Sequence, residues 1–488
     1  MIASTFPEDD GARDQQKLDP ALSGDSENIA EKPALNRDPD QAQDNVDHVP
    51  GLPLAESVKK EAVRPYRLPL PSRFHSVVYC ALLIYQVLAK IRSLFIHAGC
   101  ISEITFGDCD QAELRPLSPS QFRSRVEIPG CELWKDGVDN KGQRISREAR
   151  CSEDDAKALM GTREAEQWLP RISILSAACI LTVCKKGTPL LLGPGYHSAL
   201  GGVYITARSK PRKTGVNEAV NALLSIIRDF NPATTSDKAR MIAAMVTPAL
   251  IYGKLLKNEA RSPLFIIEAN SSRAGKGYFA ALVAAIYGEH PSIVVPRTGG
   301  IGSFDEDFSS ALLRGRPFIL LDNLRRPVDS SHIESFMTSP GPFHARGFRR
   351  APAPVDRSRY VLFATSNGFE TGVDLERRAV RIMLLKRPQA YKFDTYAGDL
   401  DVLSYVRAHQ RFYLGCVHSI VEAWIAAGRP FTRESRHSFT EWVKPLDWIL
   451  HEYFSNDVPA RMMDFETIPE SVDPAAELGF ESPEDPAE

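Results

Sequence analysis

The sequence is poor in cysteine, and what cysteine it has is scattered. Eight Cys (Cys80, Cys100, Cys109, Cys131, Cys151, Cys179, Cys184 and Cys416) are spread over 488 residues. There is no C-x-x-C and no His pair at metal-ligand spacing, which argues against a disulfide scaffold or a zinc module and predicts reduced thiols. Cys100 and Cys109 are the only pair whose spacing could begin a zinc site. The first ten residues hold neither a basic n-region nor an apolar h-region, so no secretory signal is expected. A long apolar run is missing as well. The most apolar stretch, 76–98, is broken by Lys90 and Arg92, short of the roughly 20 residues a membrane-spanning helix needs. The expectation is an amphipathic or core helix, no membrane, and a cytoplasmic protein. No internal repeat is visible, so a solenoid is not expected.

Charge is nearly balanced over the chain, at a net of -3, but not along it. Residues 1–50 hold 12 acids against 4 bases, and residues 463–488 hold 9 acids with no Lys or Arg. The segment between them therefore carries a net of about +14. A basic body between acidic ends suits a polyanion partner, whose non-specific contacts the ends could moderate.

Residues 1–65 are rich in Asp, Gln, Pro and Ala and predict a disordered acidic tail. Residues 66–160 read as a mostly helical region of unassigned role. Residues 161–261 read as a small region with short strands at 172–183, 189–192 and 203–206, followed by helices at 219–230 and 236–256. From 262 to 390, strands at 264–269, 292–296, 318–322, 360–366 and 380–385 alternate with helical segments, as in a parallel-sheet α/β domain. Residues 391–460 predict helices, and 461–488 a second disordered acidic tail.

The chemistry is concentrated in 262–390. After an apolar strand comes Asn270, Ser271, Ser272, Arg273, Ala274, Gly275, Lys276, Gly277 and Tyr278, and then a helical stretch. This approximates a phosphate-binding loop, in which backbone amides and a helix N-terminus receive the phosphates and Lys276 reaches their oxygens. It departs from the usual pattern twice. Asn270 stands at the first Gly position, where its tolerance of left-handed angles would help. Gly277 stands where a metal-binding Ser or Thr is usual, so water, Ser271 or Ser272 would have to supply that ligand. Asp322 follows four apolar residues and would be delivered to the carboxyl edge of a buried strand to coordinate Mg²⁺. Asn323 can orient water but cannot accept its proton, so Glu268 and Glu306 stand as spare carboxylates. Asn367 ends the next strand, where an amide could hold the attacking water or touch the γ-phosphate. Arg377 and Arg378 then supply fixed positive charge of the kind that stabilises phosphoryl transfer in a neighbouring subunit. Between these pieces, His344, Arg346, Phe348, Arg349 and Arg350, with Arg357 and Arg359 beyond, interleave aromatic and basic side chains. A hairpin there could grip phosphates and stack on bases.

Asp-Asn after an apolar strand, Ala-Thr-Ser-Asn at 364–367 and the segment 372–382 with its Arg pair make the block 262–387 resemble the helicase/ATPase domain of phage and plasmid replication proteins, an AAA+ branch related to superfamily 3 helicases. The likeness extends over about 165–456. It implies a P-loop AAA+-like parallel-sheet core with helical flanks, use of ATP and Mg²⁺, and assembly as a ring, a hexamer. It further implies roles for Lys276, Asp322, Asn367 and one of Arg377 and Arg378, and a DNA-gripping hairpin at 341–359. Such proteins often work with a primase or polymerase; no Asp-x-Asp or Asp-x-Glu metal set in strand context ahead of residue 165 supplies one here. The expectation is an ATP-dependent DNA helicase or translocase acting on single-stranded DNA. The alternatives are a nucleotide-binding replication initiator or partner-recruiting switch with little turnover, and an ATPase that remodels protein.

Overall fold

The computed structural model describes residues 66–107, 111–127, 130–257, 260–296, 303–324, 330–338, 341–346, 352–366 and 373–464. Residues 66–170 form a module with its own apolar core, built around Tyr85, Phe122, Leu133 and Leu159. Its elements are β1 (Tyr66–Pro69), α1 (Val77–Ile91), β2 (Phe95–His97), β3 (Cys100–Phe106), β4 (Ala112–Pro116), α2 (Pro119–Val126), β5 (Cys131–Val138), β6 (Arg144–Glu148), α3 (Glu153–Met160) and α4 (Glu164–Trp168). The strands make two three-stranded sheets, β1-β5-β6 and β2-β3-β4. The expectation of a mostly helical region here is therefore corrected. The strands are short and their alternation is irregular (β5 is Cys-Glu-Leu-Trp-Lys-Asp-Gly-Val), so the period-2 signal is weak.

The next segment contains β7 (Ile174–Ser176), β8 (Ile180–Val183), β9 (Pro189–Leu192), β10 (Gly195–His197), β11 (Val203–Ile205), α5 (Val216–Ser225) and α6 (Thr235–Tyr252). Fifteen residues of α6 are buried. Such a helix, apolar all round, must lie inside a core rather than on its surface. It packs against the central sheet on one side and against later helices on the other.

That sheet is formed by β12 (Leu264–Ala269), β13 (Ser292–Val294), β14 (Phe318–Leu324), β17 (Val361–Ser366) and β18 (Ala379–Leu384). All of its pairings are parallel, in the spatial order β13-β14-β17-β12-β18. Helices α7 (Lys276–Ile286), α8 (Phe304–Leu313), α9 (Ser331–Thr338) and α10 (Val373–Glu376) lie between these strands in the chain. A two-stranded antiparallel ribbon, β15 (Phe343–Ala345) with β16 (Ala353–Val355), rises between α9 and β17. Helices α11 (Val402–Ala408), α12 (Gln410–Ala426) and α13 (Thr440–Phe454) complete the fold. β12 is buried at every position, as a strand covered on both faces must be. The molecule is thus mixed α/β, a five-stranded parallel sheet flanked by helices. One continuous core runs from Ile174 to Met462, so the stretch from 174, the sheet from 262 and the helices from 391 pack as one body. Trp442 of α13 seals it. Its ring meets Phe265 of β12 at 6.1 Å and its Nε1 donates to Thr247 Oγ1 of α6 at 3.0 Å.

The amino-terminal module is locked to the central body by polar groups. Buried Arg316, just ahead of β14, donates to Gln111 Oε1 at 2.6 Å and to His290 O at 2.7 Å. Gln111 Nε2 in turn donates to Gly288 O at 3.1 Å, and inside the body Glu289 accepts from Ala177 N at 2.8 Å. Among the described residues no helix is long and apolar enough to cross a membrane, and no group of three or more His, Cys, Asp or Glu could hold a metal ion. Cys100 is a free thiol, and Cys109 lies outside the described residues.

Candidate functional site

The carboxyl edge of the sheet collects the polar groups. β12 ends at Ala269, and the loop 270–275 turns the chain into α7. Arg273 (φ 66°) and Gly275 (φ 87°) take the left-handed conformations of that turn. A Cβ on Gly275 would also press on the Phe230 ring at 3.3 Å. Asn270 is not left-handed, contrary to expectation. Its Oδ1 accepts from Lys386 N at 3.0 Å and ties the loop's start to the end of β18. The Asn is there for its side-chain acceptor. The first helical bond of α7 is Phe279 N to Gly275 O, which leaves the preceding first-turn amides, those of Lys276, Gly277 and Tyr278, pointing out of the helix end. Space around Gly277 is open, with no atom within 4 Å of a Cβ placed there. Tyr278 donates to Asp401 Oδ1 at 2.6 Å and braces the loop helix against α11.

Lys276 is half-buried, and burial lowers its pKa while the charge of Asp322 opposes that shift. Asp322 stands two strands away on β14. Its Oδ1 accepts from the hydroxyl of Thr365 at 2.5 Å, and the same hydroxyl accepts from Asn323 N at 2.8 Å. One buried threonine on β17 thereby fixes both the carboxylate and the chain that carries it. The register between β14 and β17 shifts between Leu321 and Leu324, and Asn323 sits at φ 59° in this bulge. The extra residue returns Leu324 to the core while Asn323 is exposed at the edge. The strand therefore runs past the acid at which it was expected to end. Thr365 was missed in the sequence as a site residue. Its only signal is its place two residues before Asn367, on the alternating face of a strand. Asn367 itself lies outside the described residues.

Glu268 is not a spare base. It is buried and accepts from Arg381 Nη1 at 2.5 Å. The same guanidinium grips Glu376 through Nε at 2.8 Å and Nη2 at 2.7 Å. These bonds, the one to Glu376 foremost, hold Arg381 firmly protonated. Glu306 lies in the first turn of α8, its amide capped by Ser303 Oγ. Arg377 is exposed and Arg378 half-buried at the amino end of β18, where Leu264 N donates to Arg378 O. The parallel register puts this pair a full strand below the loop, about 20 Å at 3.3 Å per residue. They are too far to reach the loop 270–275.

The hairpin pairs His344 with Pro354, and its base is pinned by Phe343 against His332 at 4.7 Å and Phe336 at 5.2 Å. His344 and Arg346 are exposed; Phe348, Arg349 and Arg350 lie outside the described residues. Arg357 and Arg359 do not belong to a nucleic-acid surface. Arg357 is buried and donates to Phe336 O at 3.1 Å and Gly341 O, while Arg359 is fully buried against Leu200 O and Asp356. Both fasten the hairpin's root. Burial lowers the pKa of Arg357 to about 10.

No protein-family model matches the sequence, and no curated protein matches it. Solved structures similar to it include the apo A form of the NrS-1 C-terminal region (10% identity, TM-score 0.31, over 70% of this chain and 69% of that one). Others are the SCCmec type IV Cch active helicase (12%, 0.26, 68% and 64%) and the JCV helicase bound to an acetamide ligand (10%, 0.24, 44% and 66%).

Proposed function

We propose that this chain is a P-loop ATPase that drives movement along single-stranded DNA as a ring, a helicase or translocase. The reading rests chiefly on one juxtaposition: Lys276 at the start of α7, within electrostatic reach of the threonine-oriented Asp322 on β14. The residues fit MgATP. The first-turn amides of α7 and Lys276 would hold the β- and γ-phosphates. Asp322 would hold Mg²⁺ directly or through water, and the space beside Gly277 leaves room for that water. The ion would neutralise charge developing on the phosphoryl oxygens. Asn323 and Asn367 would orient the attacking water, and Arg377 or Arg378 would reach the site of the next subunit. His344 and Arg346, with the basic and aromatic residues beyond them, would contact the strand. A phage-like or mobile-element setting and a primase or polymerase partner rest on the sequence resemblance alone. The absence of a hydroxyl at Gly277 and of a carboxylate at Asn323 favours one second reading, a nucleotide switch with little turnover.

The test is steady-state ATP hydrolysis with and without single-stranded DNA, wild type beside Lys276→Ala. Turnover stimulated by DNA and abolished in the variant is expected. Binding of ATP by the wild type without turnover would sink the motor and leave the switch.

A further inference from the structure

We infer that Glu268, Arg381 and Glu376 form a relay that couples the nucleotide loop of one subunit to the arginine pair it presents to the next. The inference rests on the ATPase reading above. Glu268 is the penultimate residue of β12, two positions ahead of Asn270. Glu376 is the last residue of α10, immediately before Arg377 and Arg378. These two points belong to opposite ends of the sheet, and one guanidinium joins them. Arg381 faces Ile266 in the β12–β18 register, midway along the strand. From there it donates once up to Glu268 and twice down to Glu376.

A bidentate arginine–carboxylate pair fixes direction as well as distance. A shift of the β12 end as the loop closes on phosphate moves the partner of Arg381 Nη1. Its other two donors then carry that shift to the end of α10. Glu268 is the buried end of the relay, at 11% side-chain exposure, and Glu376 the open end, at 46%. A rigid inner anchor and a yielding outer one suit transmission outward. Arg381 and Glu376 are positioning residues: the loop end of the relay sits below the phosphates, and Arg381 faces the middle of β12.

The full-length Arg381→Gln and Glu376→Gln proteins test this, the second keeping the buried Arg381–Glu268 pair should the first fold poorly. Three readouts are taken: affinity for a fluorescent ATP analogue, turnover against ATP concentration, and backbone hydrogen exchange over 373–381 with and without ATP. The relay predicts nucleotide affinity within about threefold of wild type, kcat down at least tenfold and a Hill coefficient falling to 1. It also predicts ATP-induced protection of 373–381 in the wild type only. A raised KM at unchanged kcat and Hill coefficient, or protection that persists in both variants, overturns it. If the wild type binds ATP but does not turn it over, the exchange arm decides the relay alone. If the wild type binds no nucleotide, the ATPase reading fails first and the relay with it.

Discussion

Thr365 is a single hydroxyl with two duties, donor to Asp322 and acceptor from Asn323 N. Removing it leaves a carboxylate free to turn and an amide without its partner. Thr365→Val is nearly isosteric, so the packing of β17 should survive. Loss of the two bonds should cost about 1–3 kcal/mol in chemical denaturation. Groups that orient metal ligands typically matter 10- to 100-fold, so turnover should fall by about that factor, with the Mg²⁺ requirement raised. A variant with unchanged Mg²⁺ dependence would mean Asp322 does not serve the ion. Gly277 tests the other side of the site. Its φ is not left-handed and its surroundings are open, so Gly277→Ser should fit and firm α7 by about 0.5 kcal/mol. The added hydroxyl should also lower the Mg²⁺ concentration for half-maximal turnover. A drop in melting temperature would show that the loop needs glycine there for another reason.

The hairpin is the element that carries the polynucleotide reading. Its root is apolar and anchored, and its exposed described side chains include His344 and Arg346. An Arg on a single-strand phosphate releases about 0.7 of a counterion. Arg346→Ala should therefore flatten the slope of log affinity against log salt by about 0.7, and weaken binding uniformly across sequences. Fluorescence anisotropy with unstructured DNA at four salt concentrations measures it, and an unchanged slope would remove Arg346 from the contact surface. That two of the nearby arginines, Arg357 and Arg359, proved to be internal ties shows why a run of basic residues is not yet a binding face. A planar guanidinium with five donors also serves to satisfy buried carbonyls.

For the whole molecule, Glu289, flanked by the two residues that bond Gln111 of the amino-terminal module, should make stability depend on pH. Burial pushes Glu289 up to about 7, more than the charge of Arg316 pulls it down. The ion pair is long, at 3.9 Å, and Arg316 Nη2 is spent on Gln111 and His290 O. Because the folded pKa lies above the unfolded one, neutral Glu289 contributes stability below about pH 4.5 that is lost as pH rises through about 7. His418 and His437, pushed down to about 4 by burial, act in the opposite sense and cost stability as pH falls from about 6.5 through about 4. Glu289→Gln should therefore flatten the decline in melting temperature between pH 5 and pH 8, gaining up to about 3 kcal/mol at pH 8. A parallel pair of pH profiles would refute the raised pKa.

The five strands of the sheet, the loop with Lys276 at the helix start, and an acid on β14 were legible along the chain. Each rests on local chemistry: an apolar run that must be buried, a glycine that turns, an acid after four apolar residues. The segment 66–160 was not, because short strands with irregular alternation leave no clear period. Three features were decided by tertiary structure alone. Asn270 pairs with Lys386, just past a strand more than a hundred residues further on, Thr365 meets Asp322 on the neighbouring strand, and Arg381 joins Glu268 to Glu376. Strand order and register set which side chains become neighbours. They follow from packing the whole core at once, so no window along the chain contains them.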